Sequence, residues 1–167
     1  MMEIYLLRHG DAVDRLTGGY SRDEDRPLTA AGRAEARDAA RALVRLGEAP
    51  ARLLMSPLVR AVQTATLAAE ELRSSRDPEM CDALAPGGGP QAIVDALITL
   101  GSPASALLVG HMPDLGELAG WLVWGQPDTA LAFRTGGLCR ITTPDRPAPG
   151  TGDLRWFLPP RLLRRLG

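Results

Sequence analysis

The chain contains no lysine: all 19 of its basic residues are arginine. That absence removes Schiff-base chemistry, a pyridoxal anchor and a phosphate-loop lysine together. Histidine is nearly as scarce, with His9 and His111 alone. The two cysteines, Cys81 and Cys139, form no CxxC pair of the kind that structural zinc sites use. Both read as small buried apolar residues in a reducing compartment. Excess charge is lacking too. The formal net charge is -1, from 19 basic and 20 acidic residues, so no overall field draws the chain to nucleic acid or to a membrane surface. No apolar run, Leu118 to Trp124 included, approaches the ~20 residues of a membrane span. The opening residues put Glu3 before a short apolar stretch and Arg8 directly after it, unlike a signal peptide. A cytoplasmic location is the expectation.

What remains is an ordinary globular composition, 45% hydrophobic and 23% charged. A chain of this size buries roughly 70% of its unfolded surface, enough for one domain spanning residues 1–167 without staples. Its apolar patterning alternates between two periods. Ile4 to Leu7, Arg52 to Ser56 and Ser105 to Gly110 are compact apolar runs that predict buried strands. Leu138 to Thr142 and Leu154 to Leu158 predict late strands around a Pro/Gly-rich turn at 144–152. Helical spacing predicts helices from Thr29 to Gly47, over 57–72 with Pro57 in its first turn, from Pro90 to Leu100, and from Pro113 to Trp124. Residues 14–27 read as a polar loop. Arg33, Arg37, Arg41 and Arg45 fall four apart and predict a solvated arginine stripe. Strand–helix alternation of this kind gives an α/β fold, a three-layer α/β/α sandwich with a mostly parallel central sheet.

In such sheets ligands bind beyond the carboxyl ends of the strands. Three of the predicted strands end in unusual residues: Arg8-His9-Gly10, then Ser56-Pro57 with Arg60 one turn on, then Gly110-His111-Met112. Both histidines therefore fall on one rim, each beside a glycine that permits close backbone approach to a ligand. Arg8 and Arg60 carry planar forks suited to phosphate or carboxylate. A histidine near neutrality attacks phosphorus through a neutral ring nitrogen or protonates a leaving oxygen. Two arginines and two histidines on one rim make a phosphoryl-transfer pocket.

Four blocks of sequence carry a resemblance. Leu7-Arg8-His9-Gly10, Pro27-Leu28-Thr29-Ala30-Ala31-Gly32, Ser56-Pro57-Leu58-Val59-Arg60-Ala61-Val62-Gln63-Thr64-Ala65 and Val109-Gly110-His111 occur in this order over most of the first 115 residues. Together they resemble the histidine phosphatase superfamily of phosphoglycerate mutase-like fold. The short length and Arg8-His9-Gly10-Asp11-Ala12 are most similar to the SixA-type phosphohistidine phosphatases. The resemblance implies that His9 is the nucleophile and becomes transiently phosphorylated. It implies that Arg8 and Arg60 hold the phosphoryl oxygens, and that protonated His111 binds the same group. Gly10 and the backbone amide of Met112 would complete substrate binding, with the Gly10 carbonyl fixing the other ring nitrogen of His9. No metal and no cofactor is implied. Relatives place an acidic proton donor between the second helix and the third strand, where Ala83 stands in place of the Glu of some small relatives; Asp82 and Asp11 are the candidates here. The partner implied is a phosphohistidine protein. A small phosphate ester is the alternative, and a phosphate-binding module with weak catalysis the second alternative.

Other motifs carry less. Gly87-Gly88-Gly89 lacks a following Lys-Ser/Thr and predicts a turn rather than a phosphate loop. Neither cysteine has an arginine five residues later, so a cysteine phosphatase is not expected. Trp121 and Trp124 predict core or subunit contacts. Arg161, Arg164 and Arg165 predict a solvated terminal helix, with an acidic partner as the sharper reading.

Overall fold

A computed structural model describes residues 1–167. Six strands form one sheet: β1 (Met2–Arg8), β2 (Arg52–Met55), β3 (Glu79–Met80), β4 (Ser105–Gly110), β5 (Leu138–Thr143) and β6 (Asp153–Leu158). Their spatial order is β3-β2-β4-β1-β5-β6. The first four run parallel, while β5 and β6 are antiparallel to their neighbours. Five helices connect and cover them: α1 (Ala30–Arg45), α2 (Val59–Leu72), α3 (Gly89–Thr99), α4 (Asp114–Trp124) and α5 (Pro160–Leu166). None is long and apolar enough to cross a membrane.

The period-two alternation of the strands assigns each helix to a face. Tyr5, Leu7, Leu107 and Val109 point to one side, against Ala39 and Leu43 of α1, Ala61 and Ala65 of α2 and Leu163 of α5. Ile4, Leu6, Ala106 and Leu108 point to the other, against Ile93 and Leu97 of α3 and Leu115 and Leu118 of α4. This is the expected three-layer α/β/α arrangement. Both faces of the central strands are covered, which is why they read as unbroken apolar runs. Cys81 and Cys139 are buried and unpaired within these layers.

Several details depart from the sequence reading. Pro57 lies outside α2, whose N-cap is Leu58. Thr29 is the cap of α1, its side chain accepting from Gly32 N at 3.0 Å. The arginine stripe is only partly solvated. Arg37 reaches Glu70 and Glu71 on α2, and Arg41 Nη2 lies 2.9 Å from Glu71 Oε1. Pairs this exposed stabilise by about 0–1 kcal/mol each, so they tie α1 to α2 weakly. Trp121 packs on the core, whereas Trp124 is exposed. The two-residue β3 was too short to show a period.

Candidate active site

The order β2-β4-β1 makes neighbours of the three strands whose carboxyl ends carry the candidate residues. A cavity of about 430 Å³ opens at that rim, lined by Arg8, His9, Arg60, His111, Met112 and Asp11 among others. Of the residues expected there, Gly10 and Asp82 do not line it. Gly10 lies behind His9. Asp82 is exposed and lines a different depression, beside Leu54, Glu79 and Met80.

His9 is held from several directions. Its backbone N–H donates to Gly110 O of β4 at 3.1 Å, and its carbonyl accepts from Gly136 N at 3.1 Å. Its side chain is 7% exposed, with Nδ1 2.7 Å from the carbonyl of Gly10. A carbonyl only accepts, so Nδ1 carries the proton and Nε2 keeps its lone pair. Arg60 Nε donates to that Nε2 at 3.3 Å. Burial is the largest influence on the imidazole and pushes its pKa down. The Gly10 hydrogen bond opposes this, Arg60, Arg8 and Arg26 add to it, and the result is about 4. His9 is therefore a neutral imidazole at physiological pH.

Gly10 is in place, but the room it leaves faces the protein. A Cβ there would lie 2.2 Å from Gly32 O, and one on Gly32 would lie 1.9 Å from Asp11 O. Its N–H is also taken, donating to Thr64 Oγ1 at 3.1 Å. The residue expected to contact substrate instead lets the His9 loop pack on the first turn of α1, and its carbonyl orients the histidine. Gly110 is similar: a Cβ would meet Leu115 at 3.2 Å rather than a ligand.

His111 lies with its ring centroid 5.0 Å from that of His9. Nε2 is 2.7 Å from Ser56 Oγ, while Nδ1 is buried without a protein partner. Burial, then the charges of His9 and Arg60, lower its pKa to about 3. The expectation of a protonated His111 is thus corrected for the protein alone: this ring sits neutral, because every nearby cation disfavours a further positive charge.

The two arginines are pinned differently. Arg8 Nη1 donates to Phe133 O at 2.7 Å, and its buried Nε has no protein partner. Arg60 is 4% exposed and its fork closes on Asp23, with Nη1 to the carbonyl at 2.8 Å and Nη2 to Oδ2 at 2.9 Å. Asp23 sits in a 3-10 turn, Asp23–Asp25, inside the segment read as a polar loop. Burial raises its carboxyl pKa, but the hydrogen bonds and charges of Arg60 and Arg26 prevail and hold it below the ordinary value. Asp11 also lines the cavity; its Oδ2 accepts from Thr29 Oγ1 at 2.8 Å.

Sequence reasoning missed Asp23, Arg26, Ser56, Thr64 and Thr135. Ser56 and Thr64 lie inside the quoted SPLVRAVQTA block and were open to assignment as supports. Behind the rim, Asp114 at the start of α4 is 4% exposed, and its Oδ1 accepts from Gly87 N at 3.0 Å and Gly89 N at 3.3 Å. This fastens the glycine turn, next to Pro86 of the cavity wall. The arrangement presents a neutral imidazole nitrogen among two guanidinium groups and a second imidazole, which is a site for nucleophilic attack on an anionic phosphorus.

Known proteins resemble this chain in sequence and in fold. The sequence profile of the histidine phosphatase superfamily (branch 1) matches residues 4–85. The phosphohistidine phosphatase SixA of Escherichia coli is 31% identical over 162 residues, 95% of this chain and 94% of that protein. An uncharacterized protein of Picosynechococcus sp. is 41% identical over 140 residues, 82% of each chain. Among solved structures, the protein histidine phosphatase SixA complexed with tungstate superposes with a TM-score of 0.84 at 30% identity, covering 97% of this chain and 99% of that one.

Proposed function

The chain belongs to the histidine phosphatase superfamily, and from that premise we propose that it is a metal-independent phosphohistidine phosphatase working through a phosphoenzyme on His9. The observation that carries the reading is the fixed tautomer of His9. With Nδ1 bound to the Gly10 carbonyl, Nε2 is unprotonated at the pH of a cell, and its lone pair is met only by a long 3.3 Å hydrogen bond from Arg60 Nε, which a phosphoryl group would displace.

In the first step Nε2 of His9 attacks phosphorus as the P–N bond to the substrate imidazole breaks. The leaving imidazole takes a proton, from Asp11 or from solvent. In the second step water attacks the phosphorylated His9, the P–Nε2 bond breaks, phosphate departs and the proton of the water passes to solvent. Arg8 and Arg60 supply the positive charge at the phosphoryl oxygens. Nε of Arg8 and Nδ1 of His111 are buried groups that no protein atom pairs with, and phosphoryl oxygens are the partners assigned to them. A dianion beside His111 raises its pKa, so the ring gains its proton as substrate binds. Removing one such donor typically costs ~10²–10³ in rate.

Similarity to SixA favours a phosphohistidine protein as substrate, and an imidazole leaving group asks little of an acid. The free, buried cysteines suit a reducing cytoplasm. Rapid-quench labelling with a phosphohistidine phosphotransfer domain tests the reading: label appears on His9 and decays with product formation. Dephosphorylation that persists in His9→Ala would overturn it. A panel of sugar and nucleotide phosphates run beside it decides between protein and metabolite; a strong preference for one metabolite would replace the proposed substrate.

A further inference from the structure

Next to the catalytic cavity lies a larger one, of about 620 Å³, whose only apolar lining is Pro159 and Pro160. Arg8, Arg134, Arg161 and Arg164 face it, with Glu35 and Thr135. Arg8 and Thr135 also line the catalytic cavity, so the two spaces meet there.

Apart from Arg8, which Phe133 O and the phosphoryl site engage, the arginines of this wall are unspent. Ion pairs occupy Arg22, Arg26, Arg37, Arg41, Arg52, Arg60 and Arg140, but none engages Arg134, Arg161 or Arg164. The single carboxylate, Glu35, is tethered by its Oε2, which accepts from Asp11 N at 2.9 Å, and its charge acts on Arg8 and Arg164. Four guanidinium groups thus surround a polar hollow with one tethered negative charge to balance them. The scaffold beneath is firm. Leu163, 1% exposed, anchors α5 in the core and leaves Arg161 and Arg164, three apart, on one side of the helix. Arg134 comes from the turn before β5, where Gly137 N donates to Arg134 O at 2.9 Å. Guanidinium forks on separate elements around one space match carboxylates better than they match any neutral group.

We propose that this cavity is a second binding subsite, which takes carboxylates carried by the substrate while its phosphoryl group occupies the His9 pocket. The proposal rests on the function given above and names a specificity it lacks: acidic side chains flanking the phosphohistidine. A carboxylate on a small phosphate ester offers the same chemistry, and the test separates the two sources.

Two phosphohistidine peptides, one flanked by glutamates and one by glutamines, are compared with carboxyphenyl phosphate and phenyl phosphate. The wild-type protein turns over the acidic peptide with a KM about tenfold below that of the neutral one, an advantage that shrinks as salt rises. In R134Q/R161Q/R164Q the advantage disappears, while turnover of phenyl phosphate stays within about twofold. R161E/R164E reverses the preference toward a peptide flanked by arginines, a readout that loss of structure does not produce. If carboxyphenyl phosphate shows the advantage and the peptides do not, the carboxylate belongs to a small substrate and the acidic-peptide assignment fails. If no peptide is hydrolysed, the proposed function fails, and the two aryl phosphates still read the subsite. Equal KM values within both pairs, or a preference that survives R134Q/R161Q/R164Q, would overturn the subsite itself.

Discussion

Asp23 and Arg60 are joined twice, through the carbonyl of Asp23 at 2.8 Å and its carboxylate at 2.9 Å, and the same guanidinium places its Nε 3.3 Å from His9 Nε2. The 3-10 turn therefore acts on the candidate nucleophile through one arginine. Asp23 is half-exposed while Arg60 is buried, so losing the carboxylate leaves the arginine without its counter-ion and held by the Asp23 carbonyl. We expect Asp23→Asn to lower kcat by about tenfold and stability by about 1–2 kcal/mol, between the values for exposed and for buried pairs because one partner is wet. Steady-state kinetics beside urea unfolding provide the check; an unchanged kcat would mean that Arg60 holds its orientation without Asp23.

Gly32 supports the site from below. Because a Cβ there would lie 1.9 Å from Asp11 O, Gly32→Ala must push the His9 loop off α1. The expected result is a stability loss of about 2 kcal/mol or more together with loss of activity. Gly47→Ala, whose Cβ meets nothing within 4 Å, is the comparison. It carries only the cost of its positive φ and leaves kcat intact.

Asp114→Ala removes the acceptor shared by Gly87 and Gly89. Stranding these amides is worth about 1–3 kcal/mol. Amide hydrogen exchange at both glycines should accelerate while that of β4 stays slow. Unaltered exchange at Gly87 and Gly89 would show that the turn is held by something else.

The pH dependence follows from the lowered pKa of His9, about 4 against an ordinary 6.5. With the neutral ring as the proposed nucleophile, kcat/KM is expected to hold level down to about pH 4 and to fall about tenfold per pH unit below it. Stability has its own window. Below pH 6.5 the unfolded chain takes up a proton that the folded chain refuses until about pH 4. Folding is therefore favoured fully above 6.5 and weakens as pH drops through that interval, by about 3 kcal/mol from His9. His111, lowered to about 3, acts in the same direction. Urea midpoints from pH 4 to 7.5 should slope accordingly, and less so in His9→Asn.

The legible parts of the molecule were those encoded by neighbours in sequence. Ser105 to Gly110 was bounded as the structure has it, because an apolar run between Pro103 and the Gly110-His111 corner has one period and clear stops. Arg8, His9, Arg60 and His111 could be gathered because strand ends share a rim. Asp23 could not: its place depends on an arginine from α2, and its own surroundings in sequence are only polar. Asp82 failed for the converse reason. It stands in the expected segment, but the 3-10 turn Asp82–Leu84 buries Leu84 and turns the carboxylate to solvent, beside Glu79 and Met80. For Gly10 the sequence signalled close approach without revealing whether to a ligand or to Gly32.

The position of β1 has a consequence for synthesis. Its hydrogen-bonding neighbours are β4, pairing Glu3 with Ser105, and β5, pairing Leu7 with Leu138. Neither exists when the ribosome has made β1, α1, β2 and α2. The nascent chain must carry an apolar, unpaired strand until Ser105 has emerged, and the arm of Arg8 waits longer still, for the carbonyl of Phe133. Such long-range pairing is slow and leaves sticky segments uncovered meanwhile. The candidate nucleophile, His9, precedes both partner strands in the sequence and is seated only after they emerge, since its backbone bonds Gly110 and Gly136, so a formed site marks a chain whose β4 and β5 are already paired.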